Sequence, residues 1–135
     1  METVRNGRVV LVRKYGYNKL MNIKEIQERL EKFAKDRDWD QFHSPKNLTM
    51  ALSVEVAELV EIFQWSNSGG LDEIKDQETR KQIEEEVADI FIYLIKISGK
   101  LNLNLTKIIT EKIDKNEKKY PVSKSKGKSD KYNKL

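Results

Sequence analysis

The sequence has no cysteine, two prolines, one histidine and no long apolar run. The absence of cysteine excludes disulfides and thiolate metal sites, and it fits a cytoplasmic protein. No apolar run approaches the roughly 18 residues of a membrane-spanning helix. The N-terminal run VVLV is also too short for the core of a signal peptide. With 36% charged residues and a mean hydropathy of −0.71, the composition is typical of one soluble domain.

The formal net charge of +4 is unevenly distributed along the chain. Residues 1–20 carry five Lys or Arg and one Glu, and residues 122–135 carry five Lys and one Asp. The stretch 21–121 between them has sixteen bases and twenty acids, so the body is acidic and only the ends are basic. A solvated tail is the simpler interpretation of 122–135. Binding of nucleic acid through this tail is the alternative.

The residue pattern of the sequence changes at Met21, which is a second methionine that could begin the chain. We interpret residues 1–20 as an N-terminal extension, either non-native or read through from upstream. Its Asn6-Gly7 is a favoured turn pair, so a small hairpin is compatible with this segment. Residues 21–121 are expected to form one domain, and residues 122–135 a flexible basic tail.

Apolar residues at helical spacing predict four helices in 21–121 and therefore an all-α, four-helix bundle-type fold. The expected bounds are Asn22 to Asp36, Ser44-Pro45 to Trp65, Glu78 to Lys100, and Asn104 to just before Tyr120-Pro121. The second and third helices are apolar over most of their circumference. One subunit of four short helices cannot bury so much surface, so the sequence predicts an obligate oligomer.

Two of these apolar helices carry acids in the same arrangement. In ALSVEVAELVEIFQW, Glu55 and Glu58 are three residues apart, and in EEEVADIFIYLI so are Glu86 and Asp89. Each pair therefore lies on one helix face. One such pair is usually solvated surface, but if these two faces meet, four carboxylates converge and repel unless a divalent cation lies between them. Oxygen ligands without cysteine or a usable histidine favour Mg²⁺ or Mn²⁺ over zinc.

Aromatic residues follow the acids along both faces. Trp65 is seven residues after Glu58, and Tyr93 is four residues after Asp89. An acidic metal site bordered by flat rings indicates a ligand with phosphates and a base, although a single aromatic at this spacing is more often part of a core. A di-iron site with Glu-x-x-His pairs, an H-E-x-x-H zinc site and a P-loop are all absent.

Three stretches of the chain resemble a known family: RDWDQFHSPKNLTMALSVEVAELVEIFQW, EEEVADIFIYLI and KIDKNEKKYP. Over residues 22–121 the sequence is similar to the all-α nucleoside triphosphate pyrophosphohydrolases of the MazG-like group, and within it to the dCTP pyrophosphatase type. The resemblance implies Mg²⁺-dependent cleavage of a (deoxy)nucleoside triphosphate, dCTP included, to the monophosphate and pyrophosphate, as a step in cleaning the nucleotide pool. It also implies a homodimer or a homotetramer built as a dimer of dimers.

The resemblance also implies roles for single residues. The metal would be bound by Glu55, Glu58, Glu86 and Asp89, with Glu55 or Glu58 as the base. Trp39, His43, Trp65 and Tyr93 would line the nucleotide pocket, Asn116 would lie near the sugar and phosphates, and Lys112, Lys119 and Tyr120 would contact phosphate. Where some relatives have a histidine on the first helix, this chain has Leu30, which predicts looser base selection.

Other interpretations of these residues stay open at this stage. Trp39 is also suited to plug the junction between the first two helices, and His43 to neighbour the Ser44-Pro45 cap. A non-enzymatic helical interaction module is the rival function, in which the acids would be interfacial ion-pair partners and the aromatics core.

Overall fold

A computed structural model describes residues 2–5, 8–11 and 22–134 of the 135-residue chain. Five α-helices follow an N-terminal pair of strands. The elements are β1 (Glu2–Arg5), β2 (Arg8–Leu11), α1 (Ile23–Lys35), α2 (Pro45–Phe63), α3 (Gln77–Lys100), α4 (Leu105–Lys119) and α5 (Val122–Ser125), with 3-10 turns at Asp40–Phe42, Leu71–Glu73 and Tyr132–Lys134. The all-α prediction for residues 21–121 is confirmed.

Strand β1 pairs antiparallel with β2, with Thr3 opposite Val10. The predicted turn pair Asn6-Gly7 and Met21 lie outside the described residues. The interpretation of residues 1–20 as an extension stays a prediction.

Local side-chain chemistry fixes where the helices begin. The Asn22 side chain accepts a hydrogen bond from the Glu25 N–H at 3.0 Å, and the Glu25 carboxylate accepts one from the Asn22 N–H at 3.1 Å. This is the reciprocal capping box that the sequence predicts. Ser44 caps α2 through the Asn47 N–H at 3.1 Å, ahead of a proline at the first helical position. Asp76 and Asn104 cap α3 and α4 in the same way.

One predicted bound is wrong in a way that matters for the site. Helix α2 ends at Phe63, so Trp65 lies in the turn beyond it and not on the helix. The 3.6-residue spacing from Glu58 therefore does not extend to this ring.

Helices α2 and α3 form the main packing pair and run antiparallel, since Glu55 lies near Asp89 while Glu58, one turn later, lies near Glu86. Helix α1 packs on α3. The most buried side chains are Ala34, Leu48, Ile95 and Ser98, contributed by α1, α2 and α3. None of the described helices is both long and apolar enough to cross a bilayer.

Helix α4 packs little against the other described helices of the single chain. Its Ile108, Ile109 and Ile113 are all substantially exposed. At its C-terminal end the Tyr120 ring meets Tyr132 edge to face at 6.1 Å, and the Lys119 ammonium lies 4.5 Å from the Tyr132 ring centroid. The segment predicted as a tail thus folds back on α4, and its flexibility stays a prediction.

We expect Leu48→Ala to lower the free energy of unfolding by about 2–5 kcal/mol, because Leu48 is only 1% exposed and its truncation leaves a cavity. Urea denaturation at a fixed protein concentration measures this loss. The matched control is Leu71→Ala, at a side chain that is 86% exposed, which should change stability by no more than about 0.5 kcal/mol. Equal losses in the two variants would contradict this core.

Candidate active site

Four carboxylates converge between α2 and α3. Single oxygens of Glu55, Glu86 and Asp89 lie within 4.8 Å of one another. Glu58 is outside this group of three, but it is close enough to both Glu55 and Glu86 to act on their ionisation. The structure therefore brings together all four acids that the two i, i+3 pairs predict. We call these four residues the acidic cluster.

The environment of the acidic cluster disfavours its negative charge. Burial raises the pKa of Glu55, and the charges of Asp89, Glu58 and Glu86 raise it further. The pKa of Glu86 is raised by burial first and then by Glu58 and Asp89. Within residues 22–134 no lysine or arginine forms an ion pair with any of the four. The described residues thus give these acids no cationic partner, so nothing among them favours the interaction-module interpretation.

The residues of the cluster fit a bound cation. Glu86 Oε2 is buried and has no hydrogen-bond partner among the described residues. A buried carboxylate oxygen without a partner is costly, and neighbouring carboxylates add repulsion to that cost. A metal ion bound by oxygen ligands would remove both costs. The acidic cluster is thus able to hold a metal.

Along helix α3, the acids are followed by an aromatic ring and then by an ammonium group. Glu86, Asp89, Tyr93 and Lys96 follow one another at intervals of three or four residues, which places them on one face. Burial raises the pKa of the Tyr93 hydroxyl, and the neighbouring charges of Glu55 and Asp89 raise it further. The Lys96 ammonium lies 5.2 Å from the Tyr93 ring centroid.

A cavity of about 540 Å³ opens beyond Tyr93, between α1, α3 and the start of α2. Its size is typical of a site for a small molecule. Leu30, Leu48 and Ile95 supply apolar walls, while His43 and Lys96 are among its polar groups. The cavity does not include the acidic cluster, which borders a separate hollow beside Glu58 and Glu86. Tyr93 lies between the cluster and the cavity along α3.

Trp39 and His43 stand at the entrance to α2. Their rings meet edge to face at 6.3 Å, and Trp39 also meets Phe33 at 5.8 Å. The pKa of His43 is lowered by burial and by the Lys96 charge, so its imidazole is neutral at neutral pH. Both expected roles of Trp39 are compatible with this geometry, because the ring plugs the junction and remains 44% exposed.

The other predicted pocket residues lie apart from this region within the single chain. Trp65 is 86% exposed and makes no ring contact with Trp39 or Tyr93. The remaining four are all on or next to α4, away from the acidic cluster: Lys112, Asn116, Lys119 and Tyr120. Their roles stay predictions.

Two groups at the cavity were not singled out by sequence reasoning. Lys96 lines the cavity, and Lys100 donates to Asp40 Oδ1 at 2.9 Å, which ties the turn before α2 to α3. The spacing of Lys96 from Asp89 and Tyr93 is the signal that would have indicated it. Nothing in the sequence indicates the Asp40–Lys100 pair, whose members are sixty residues apart.

The described chain combines an all-α fold with an acidic cluster that can hold a metal and a cavity that lies beyond Tyr93 along α3. Such a combination is typical of hydrolases that act on phosphate-containing ligands. A model of the MazG-like family matches residues 50–135, and the chain belongs to this family. It is a nucleoside triphosphate pyrophosphohydrolase. The matched residues include the basic segment 122–135.

Known relatives agree with this assignment. The dCTP pyrophosphatase 1 of Mus musculus is 35% identical over 134 residues, which are 98% of this chain and 79% of that protein. The dCTP pyrophosphatase 1 of Homo sapiens is 34% identical over 90% of this chain and 72% of its own length. The crystal structure of a pyrophosphatase from Archaeoglobus fulgidus is 40% identical, with a TM-score of 0.68 over 78% of this chain and 97% of that one.

We expect Glu86→Gln to raise the melting temperature of the metal-free protein at neutral pH. The folded wild type has a raised Glu86 pKa and binds this proton more tightly than the unfolded chain. Its stability therefore falls as pH rises from the ordinary carboxyl pKa of 4.5 through the raised value, and the substitution removes that loss. Wild type and variant should converge at about pH 4.

Thermal melting in a chelator measures this difference. The control is Glu84→Gln, at an exposed carboxylate that pairs with Arg80 at 3.4 Å, which should give no gain. Adding a divalent cation should stabilise the wild type more than Glu86→Gln. A Glu86→Gln variant that melts lower than the wild type at neutral pH in chelator would contradict the account of the cluster.

Proposed function

We propose that the protein cleaves deoxynucleoside triphosphates, dCTP among the better ones, to the monophosphate and pyrophosphate, with Mg²⁺ as cofactor and Mn²⁺ as a substitute. This reaction would clean the nucleotide pool. The observation that carries the proposal is the acidic cluster without cationic partners, next to Tyr93 and the cavity. The names of the two mammalian relatives support dCTP as a substrate.

Glu55, Glu86 and Asp89 are the residues best placed to hold Mg²⁺, with Glu58 beside them. When bound, the cation supplies Lewis-acid stabilisation of phosphate charge. Of the two candidate bases, Glu55 is inside the group of three oxygens, whereas Glu58 is outside it and borders a hollow. We therefore assign the base role to Glu58, which takes a proton from the water that attacks the α-phosphorus as pyrophosphate leaves.

The cavity beyond Tyr93 is the proposed place of the base. Lys96 is seven residues after Asp89, so the two positions are about 10.5 Å apart along the helix axis. That separation matches an extended nucleotide with its phosphates at the acids and its base among the rings of Tyr93, His43 and Trp39. Stacking on such rings contributes about 1–3 kcal/mol per base and is tolerant of base identity.

Assembly into a homodimer or a homotetramer is part of the proposal. Large apolar side chains remain exposed on the main helices of the single chain: Val54, Val56 and Val60 on α2, Val87 and Phe91 on α3, and Ile109 and Ile113 on α4. Such an extensive apolar surface is unusual for a monomer. Trp65 and the α4 residues Lys112, Asn116, Lys119 and Tyr120 keep their proposed substrate roles, and their exposure suits a contribution across a subunit interface.

We expect Glu58→Gln to lower kcat by about 10²- to 10⁴-fold, since it removes the proposed base. Asp89→Asn should raise the Mg²⁺ concentration that is needed for half-maximal activity, because it removes a ligand oxygen. The assay uses a panel of nucleoside triphosphates with Mg²⁺ and measures pyrophosphate and orthophosphate separately. The control is Glu84→Gln, at an exposed carboxylate of α3 that pairs with Arg80.

Two outcomes of this assay would count against the proposal. Near-normal hydrolysis by both Glu58→Gln and Asp89→Asn would remove the acidic cluster from the mechanism. Orthophosphate as the primary product would contradict cleavage between the α- and β-phosphates.

Sedimentation should show a dimer or a larger assembly at micromolar concentration, because the exposed apolar faces favour association. Phe91 is 60% exposed on the single chain, and Phe91→Glu should weaken association by about tenfold or more. Leu71→Glu, at an equally apolar residue outside the long helices, should leave association unchanged. A folded wild-type monomer at this concentration is the result that would refute the assembly.

A further inference from the structure

Lys96 is a partly buried cation without an acidic partner. No carboxylate of residues 22–134 lies within ion-pair distance of its ammonium. Among the described acids, Asp40 is the one whose charge acts on the ionisation of Lys96. Asp40 already forms an ion pair with Lys100 at 2.9 Å. Burial lowers the pKa of Lys96, as expected for an ammonium that has lost water without gaining a carboxylate.

Lys96 lines the cavity together with Leu30 and His43. Its ammonium lies 5.2 Å from the Tyr93 ring centroid, and no acid of the cluster lies within ion-pair distance of it. The charges that act on it are those of Asp40 and Lys100, and none belongs to the acidic cluster. If phosphates bind at the acids and the base enters the cavity, Lys96 meets the base.

An ammonium has three donors and no acceptor. It therefore pairs with a carbonyl oxygen or an unprotonated ring nitrogen, and it meets an exocyclic amine donor to donor. Thymine and uracil present two keto oxygens, and guanine presents one beside a ring nitrogen. Adenine has ring nitrogens that accept, but at the position of the keto group it presents an amine, which meets the ammonium donor to donor. Cytosine keeps its carbonyl and has an amine on the opposite side. Leu30, on the wall of the same cavity, offers no polar group that would favour an amine. The carboxylates of the lining are already engaged, since Asp40 accepts from Lys100, Glu31 accepts from Gln27 and Glu28 pairs with Lys24.

We propose that Lys96 is a specificity-determining residue that donates to a keto oxygen of the base, so that the site accepts dTTP and dUTP at least as well as dCTP and uses dATP poorly. This inference rests on the proposed function. It specifies that the looser base selection favours bases with keto oxygens. Tyr93 gives affinity through its ring face, and the ammonium next to it supplies the reading of the base edge.

The test compares kcat/KM for dTTP, dUTP, dCTP and dATP in the wild type and in Lys96→Met, which keeps the length of the side chain and removes its charge. We expect kcat/KM for dTTP and dUTP to fall by about tenfold to a hundredfold relative to dATP, because a hydrogen bond to a charged donor is lost. Lys96→Arg should retain the preference for keto bases. The control is Lys81→Met, at an exposed lysine of α3, which should preserve the ranking.

A second measurement does not depend on turnover. Calorimetric binding of dTMP and dCMP to the wild type and to Lys96→Met, with melting curves to establish that both are folded, should show a selective loss for dTMP. Equal losses for every nucleotide would assign Lys96 to the phosphates and overturn the inference. If the wild type is active and Lys96→Met leaves the ranking of nucleotides unchanged, the role of Lys96 is overturned and the proposed function stands. A wild type that releases no pyrophosphate from any nucleotide overturns the proposed function as well.

Discussion

Repulsion among four carboxylates between α2 and α3 is the constraint on which the rest of the structure depends. Apolar side chains on the same segments of α2 and α3 hold the two helices together. This packing brings like charges close to one another, although their repulsion would separate them if they were free in water. Burial raises the pKa values of Glu55 and Glu86, and this repulsion raises them further. Because the described residues offer no cation to these acids, the fold carries an electrostatic cost that a bound metal ion would relieve.

The groups of the proposed site follow one another along one face of helix α3. Its face carries acids first, a ring next and an ammonium last. A substrate bound as proposed would meet these groups in the same order along the helix. The cavity at the ammonium end exists because α1 and the start of α2 close over α3 around Leu48. Gly99 lies at this contact, where a Cβ would be 3.0 Å from the side-chain nitrogen Nε2 of Gln27 on α1 and would require that flexible side chain to shift.

Features set by neighbours in sequence were predictable, and features set by packing were not. The capping box at Asn22 and the convergence of the i, i+3 acid pairs follow from short-range geometry. The position of Trp65 was misjudged because the helical period was carried past Phe63, where α2 ends. The sequence gives Lys96 no role in the site, because a lysine on an amphipathic helix is usually solvated. The cavity formed with α1 shows that this lysine is partly buried.

The predicted substrate residues that lie far from the acidic cluster in the single chain also lie on its exposed surfaces. Lys112 and Asn116 lie on the same side of α4 as Ile109 and Ile113, at intervals of three, four and seven residues, and this apolar side has little to pack against within the chain. A surface that covers the isoleucines also immobilises the lysine and the asparagine beside them. In the proposed oligomer, the burial that stabilises α4 is therefore the same event that positions its polar side chains, and assembly and substrate binding share one interface.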